Sequence, residues 1–405
     1  MTNEEKIDEI LTRGVAEVIH TEKLKAKLLE GKALRIKIGI DPTSPNIHIG
    51  RATGLWKLRE LQDLGHTVVF IIGDFTGIIG DTSDKESERP MLSREVIEKN
   101  LETYFEQVGM VLDMSRVEKH MNSEWLEKLT YREISEHAEI FSVADFIARE
   151  NIKVRLDAGK RVSLRETLYP LMQGYDSVAI NADLEIGGTD QKFNMLAGRK
   201  LQEHFKKEPQ SILMLNLIEG LDGRKMSSSW GNTINLKDEA NEMFGKVMSL
   251  RDELIVKYFI HATRVSMSRA DEAAAALGRG ENPRDIKLDL AEEIVSMYHG
   301  REKAIGAREA FLSTFQKKEI PDDILEVKMS EGETFADLLV RAEVVASKSE
   351  FRRLVEEGAV KRMGEEGKEE KVENYVDDRR GLDLICSRGT KIQDVESFSG
   401  APRAL

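Results

Sequence analysis

The sequence predicts a doubly wound parallel α/β sheet at its amino-terminal side, then an all-helical stretch, then a small α+β unit. Three observations predict it. An alternating apolar segment, Leu34 to Asp41, precedes a Pro/Ser/Asn loop and a helical pattern from about Gly50 to Leu64. A continuous apolar run, Thr67 to Gly73, follows directly, as expected of a strand buried on both faces. After about Leu236 the strand patterns stop and helical ones take over.

Taken in order, residues 3 to 30 read as helix, with Ile7, Ile10, Leu11, Val15, Val18 and Ile19 near helical spacing. In the first strand Leu34, Ile36, Ile38 and Ile40 face one way, and Arg35, Lys37, Gly39 and Asp41 the other. Gly65-His66 ends the next helix before the Thr67 strand. Strand, helix and strand make a doubly wound opening, which places ligands beyond the carboxyl ends of the strands. Residues 92 to 160 read as a charged helical insertion, and further β segments fall near Ala179 to Gly188 and Ile212 to Ile218. Ala273 to Leu277 and Ile286 to Tyr298 are helical, and Pro321 begins a linker. From about Thr334 come two helices, the second over Lys348 to Glu357, a turn at Gly358 and short strands. The Glu/Lys run from Glu365 to Lys371 reads as an exposed hairpin tip. The expected domains are 1–236, 237–325 and 332–405.

The chain has 405 residues, more than one ordinary core organises. No apolar run approaches the ~20 residues that span a bilayer, and Met1 to Gly31 lacks an apolar signal-peptide core. The single cysteine, Cys386, excludes an intrachain disulfide and points to a reducing cytoplasm. Eight histidines without ligand spacing argue against a structural zinc site, and no protein-bound metal is expected. A net charge of -13 excludes nucleic-acid binding over the whole surface, but not through a local basic patch.

Two motifs carry chemistry. Pro45-Asn46-Ile47-His48-Ile49-Gly50-Arg51 lies after a strand and opens a helix, whose N-terminal amides favour anions. Gly50 lets a nucleotide approach the backbone, and Asp41 projects toward the same crevice. Lys225-Met226-Ser227-Ser228-Ser229 follows the flexible Gly220-Leu221-Asp222-Gly223, so a lysine and hydroxyls could close on phosphates. Alone, His48 could simply cap a helix and Lys225 could sit on an ordinary polar turn. Together the motifs describe a site gripping ATP from both ends while a carboxylate attacks the α-phosphorus and charge moves toward pyrophosphate.

These segments resemble the two signatures of class I aminoacyl-tRNA synthetases. Gly73 to Asp81, Tyr169 to Asp176 and Gly187 to Gln191 narrow the resemblance to the bacterial tyrosyl-tRNA synthetases, and Ser347 to Val355 resembles their small RNA-binding domain, shared with a ribosomal protein. The resemblance implies a Rossmann-like catalytic domain with a helical insertion, an α-helical anticodon-binding domain and a homodimer. It implies that Asp81, Tyr169 and Gln173 bind the ammonium of tyrosine and Asp176 its phenol. Spacing of i, i+4 and i+7 lets one helix present Tyr169, Gln173 and Asp176 together. For ATP it implies Asp41, Thr43, His48, Gly50, Gly188, Asp190 and Gln191, with Thr43 and His48 on the γ-phosphate and Lys85 and Arg89 on a mobile loop neutralising pyrophosphate. Lys225 and Ser228 would face the same phosphates. Catalysis would need alignment and charge stabilisation rather than a general base, with Mg²⁺ on the phosphates.

The chain departs from the pattern at three places. Arg51 replaces a histidine, and Ser228 replaces a lysine, with Arg224, Lys85 and Arg89, or a monovalent cation, expected to make up the charge. Lys37 stands where relatives often have a tyrosine, and is expected to join the tyrosine pocket by pairing with Asp176 and keeping it ionised. Between Arg341 and Arg362, six basic residues against four acidic ones leave +2 in a chain of -13. Lys348, Arg352, Arg353 and Lys361 of this patch are the expected tRNA contacts. The alternatives are a tryptophanyl enzyme, opposed by Asp176 and the C-terminal unit; a catalytically weakened paralogue that binds RNA; and a dinucleotide-dependent oxidoreductase, opposed by the missing Gly-x-Gly-x-x-Gly turn.

Overall fold

The computed structural model describes residues 2–81, 91–316, 334–342, 344–345, 347–356, 360–363, 369–371, 383–386 and 390–392. The chain divides into two compact units, Met1–Arg308 and Glu309–Leu405.

The first unit is built on a six-stranded sheet: β1 (Val15–Ile19), β2 (Arg35–Ile40), β3 (Thr67–Ile72), β4 (Val117–Met121), β5 (Leu184–Gly188) and β6 (Ser211–Leu215). Their spatial order is β1-β6-β5-β2-β3-β4, all parallel except β1, which runs antiparallel to β6. The chain winds outward from β2 through β3 to β4, then returns to the other side of β2 with β5 and β6. The strand order therefore reverses between β2 and β5, where a crevice opens at the carboxyl ends. β3 is buried along Val68–Ile72, so its unbroken apolar run has a physical cause.

Two strands escape the sequence reading. Residues 3 to 30 are not one helix but α1 (Asn3–Thr12), β1 and α2 (Thr21–Leu29). Gly14 takes φ +70°, a left-handed backbone that ends the helix and turns the apolar residues Val15, Val18 and Ile19 into a strand. β4 interrupts the 92–160 insertion, its Val-Glu-Lys-His-Met alternation carrying three polar side chains. Both are edge strands, where charge belongs.

The helices between Ala240 and His299 belong to the same unit as the sheet. Arg13, just past α1, donates to the carbonyls of Phe259 (3.1 Å), Ile260 (2.9 Å), Thr263 (2.9 Å) and Val265 (2.6 Å), satisfying the open end of the Ile255–Ala262 helix.

The second unit has helices Phe335–Arg341 and Lys348–Glu356. They enclose a core of Leu338, Leu339, Val345, Phe351, Leu354 and Val355. Strands Val360–Met363, Glu369–Lys371, Asp383–Cys386 and Thr390–Ile392 form an antiparallel sheet. Of the expected hairpin tip from Glu365 to Lys371, Glu369–Lys371 is a strand, while 365–368 and the linker at Pro321 lie outside the described residues.

Candidate active site

A cavity of about 620 Å³ occupies the crevice between β2 and β5. Its wall begins with His48, the N-cap of α3 (Ile49–Asp63), whose Nδ1 accepts the backbone N–H of Arg51 at 3.3 Å. The helix-capping role that a lone His48 could have played is therefore real. It also fixes the tautomer, because an accepting Nδ1 leaves the proton on Nε2. Burial lowers the His48 pKa to about 3, helped by the Arg51 and Lys225 charges, so the ring is a neutral donor. Gly50 permits this placement, since a Cβ there would lie 3.0 Å from His48 Nδ1 and 3.2 Å from Cε1. Arg51, in place of the family's histidine, lines the cavity and donates to the Tyr104 hydroxyl at 3.0 Å.

The second motif closes the same cavity. Ile49 N–H donates to the Ile234 carbonyl and Leu236 N–H to the Ile47 carbonyl, both at 2.9 Å, so backbone bonds tie the first signature to the segment that follows the second. Asn232, buried, accepts the Ser227 N–H at 2.8 Å and donates to Asp222 at 2.7 Å, holding the loop from within. Lys225 reaches Asp190 at 2.9 Å, and Ser228 lines the cavity. Arg224 does not supply the expected extra charge there. Its guanidinium pairs with Asp222 and packs over the Trp230 ring at 4.6 Å.

The far end of the cavity is polar and rests on the Leu164–Ala179 helix. Ser163 starts this helix with a capping box to Glu166. Tyr169, Gln173 and Asp176 share one face and all line the cavity. Tyr169 donates to Asp41 Oδ2 at 2.8 Å, and Thr76 donates to Asp41 Oδ1 at 2.7 Å. Asp41 thus links the strand end at β2 to the Leu164–Ala179 helix and to Thr76. Gln191 donates to Asp81 at 2.7 Å. Thr43, Gly188 and Asp190 complete the wall. Burial raises the Asp176 pKa to about 7, against the lowering effects of Lys37, Trp125 and Asn122.

Lys37 corrects one expectation. It does not line the cavity and does not pair with Asp176. Its ammonium is fully buried, 2.9 Å from Glu185 Oε1 and 2.8 Å from both Ser177 Oγ and the Gln173 carbonyl. The reason is register: Lys37 on β2 lies directly opposite Glu185 on the parallel neighbour β5. Sequence reasoning also missed Glu185, Thr76, Asn122 and Trp125. The last two follow β4, so recognising that strand would have put them at the carboxyl edge of the sheet.

Lys85 and Arg89 lie outside the described residues. In the second unit, Lys348 pairs with Asp337 at 2.7 Å. Arg352 and Arg353 are exposed on the face opposite Phe351, Leu354 and Val355. Lys361 lies on the Val360–Met363 strand.

Residues 28–316 match the family model for tRNA synthetases class I (W and Y). A tyrosine–tRNA ligase of Thermotoga maritima is 46% identical over 367 residues, covering 90% of this chain and 91% of that protein. One from Shewanella oneidensis is 45% identical over 390 residues, covering 95% of each. Among solved structures, the tyrosyl-tRNA synthetase of Archaeoglobus fulgidus, complexed with L-tyrosine, superposes with a TM-score of 0.60 at 23% identity. It covers 76% of this chain and all of that one, a likeness of fold.

Proposed function

The chain belongs to the class I tRNA synthetases of the W and Y group, and from that premise we propose that it is a tyrosine–tRNA ligase. It joins L-tyrosine to ATP as tyrosyl-adenylate, releasing pyrophosphate, and passes the tyrosyl group to the terminal ribose of tRNA(Tyr). The observation that carries the choice of amino acid is Asp176, a carboxylate buried at the deep end of the cavity. Phenylalanine would bury the same carboxylate without offering it a hydrogen bond, and the cost of that unmet acceptor rejects it.

Each end of the cavity then has a task. Asp81, Tyr169 and Gln173 receive the ammonium. The Gln173 amide nitrogen donates to Glu185 at 3.2 Å, which turns its oxygen toward the substrate. ATP enters as its magnesium complex, the ion riding on the phosphates. His48 Nε2–H, Thr43 and the α3 amides meet the growing pyrophosphate charge. Lys225 exchanges Asp190 for phosphate as its loop closes, and Lys85 and Arg89 add cations. The tyrosine carboxylate is itself the nucleophile, so alignment replaces a general base. Arg352 and Arg353 would follow an RNA backbone, and the helices from Ala240 onward would read the anticodon. Cytoplasmic action fits the single cysteine. No helix among the described residues is long and apolar enough to cross a membrane.

Tyrosine-dependent ATP–pyrophosphate exchange, run beside phenylalanine and tryptophan, tests the reading. Robust exchange with tyrosine alone is expected, and equal exchange with phenylalanine would reject it.

A homodimer is part of the same proposal. Tyr131, Val143 and Val154 on three successive helices of the insertion, and Leu164 at the start of the next helix, are exposed apolar side chains. A second copy bringing the same surface would cover them isologously. Sedimentation should give a dimer that Val143→Glu with Leu164→Glu converts to monomer; a wild-type monomer would refute it.

A further inference from the structure

We propose that Arg51 is the second fixed cation of the phosphate site, taking over the charge that position 228 has lost, and that Tyr104 is the residue that positions it. The proposal rests on the tyrosine–tRNA ligase reading above and deepens it.

The two departures from the signature pattern have opposite sign. Arginine for histidine at position 51 adds a permanent positive charge, and serine for lysine at position 228 removes one. Both residues line the same cavity. The Arg51 and Lys225 charges both bear on the His48 ring, so the guanidinium and the lysine of the second motif converge on the group that meets pyrophosphate.

Arg51 is also the cation without an anion. Lys225 is held by Asp190 at 2.9 Å, and Arg224 by Asp222. Among the described residues no carboxylate lies within ion-pair distance of Arg51, whose hydrogen-bond partner is the neutral Tyr104 hydroxyl. A half-buried guanidinium at a cavity wall, with no carboxylate beside it, is a place for a ligand's anionic oxygens.

Its orientation is built in. Tyr104 is fully buried and accepts from Arg51 Nη1 at 3.0 Å, which leaves Nη2 and Nε of the fork to a ligand. Tyr104 opens a short helix, Tyr104–Gly109, that is fastened to the first motif. Gln107 on that helix donates to the Pro45 carbonyl at 2.9 Å and accepts the Ile47 N–H at 2.7 Å. The loop that carries His48 thus also fixes the hydroxyl that holds Arg51. A cation set in place before ATP arrives needs no reorganisation as charge moves to pyrophosphate.

The test is single-turnover adenylate formation, and its reversal by pyrophosphate, on the full chain. Arg51→His should slow adenylate formation about ten- to a hundredfold, the scale of a hydrogen bond between charged groups. The Michaelis constant for pyrophosphate in the reverse step should rise by a similar factor, while tyrosine affinity is kept. Adding Ser228→Lys to Arg51→His should recover most of both losses, whereas Ser228→Lys alone should bring little gain. Arg51→Lys, which keeps the charge without the fork, should stay faster than Arg51→His. Tyr104→Phe, which keeps the ring and deletes the hydroxyl, should cost part of the rate in the wild type and nothing further beside Arg51→His; a merely structural role would cost both backgrounds alike. Wild-type rate and pyrophosphate constant in Arg51→His would overturn the proposal. So would a gain from Ser228→Lys as large with Arg51 present as without it, since independent sites add. A wild-type rate that differs between sodium and potassium chloride would assign the charge to a monovalent ion instead. Failure of the unmodified protein to use tyrosine would reject the function itself.

Discussion

His48→Ala should slow adenylate formation by about 10²–10³, the usual loss when one preorganised donor to a developing charge is removed. The cause lies in the placement of the ring. Nδ1 accepts the Arg51 N–H at the mouth of α3, so Nε2 must carry the proton. With its pKa lowered to about 3 by burial, His48 donates as a neutral group throughout the physiological range. Its contribution to the rate should therefore be flat between about pH 6 and 8. His48→Gln, which places an amide N–H near Nε2, should recover part of the rate, and the ATP Michaelis constant should change little in either variant. Single-turnover measurement of adenylate formation separates the outcomes: a glutamine variant as slow as alanine would mean that the ring N–H is not the agent. The same depressed pKa bears on stability. Below about pH 6.5 the unfolded chain takes up a proton that the native His48 refuses until about pH 3. Its contribution is thus intact above pH 6.5 and erodes as the pH falls through that window.

How much of this was legible in the sequence depended on where each residue sits in the sheet. β2 and β3 are interior strands, and their apolar patterns announced them. β1 and β4 are edges, and neither did: β1 hid inside a helical spacing that the left-handed Gly14 and His20 break, and β4 inside a charged insertion. Missing β4 hid Asn122 and Trp125, which act at its carboxyl end. The cavity wall was readable because its residues come in short contiguous motifs, each placed by one turn or one helix. His48, Gly50 and Arg51 share a cap; Tyr169, Gln173 and Asp176 share a helix face. The Lys37 partner was not readable, because it depends on β2–β5 register, and no local pattern encodes which residue of a strand about 150 positions away lies opposite. A lysine at an inward strand position did signal a buried carboxylate nearby. Only the structure shows that the carboxylate is Glu185.

That pairing predicts the largest effect on stability. Lys37→Met should destabilise the protein by about 3–5 kcal/mol, because it strands Glu185 as a buried charge without its cation. The methionine fills a similar volume, so a cavity is not the cause. Glu185 would keep neutral donors only, from Gln173, Gln210 and Ser177. Combining Lys37→Met with Glu185→Gln removes both charges and should recover most of the loss, since a satisfied neutral pair can replace a buried ion pair at little cost. Urea denaturation of the two single variants and the double variant forms a thermodynamic cycle. Additive losses would show that the two side chains are not coupled, whatever their 2.9 Å separation. The pair also supports the site. Lys37 donates to the Gln173 carbonyl, and Glu185 accepts from the Gln173 amide, so together they grip this residue by backbone and side chain. The single variant that remains folded should therefore bind tyrosine more weakly, with ATP affinity preserved. Unchanged tyrosine affinity, measured by calorimetric titration, would confine the pair to a structural role beneath the pocket.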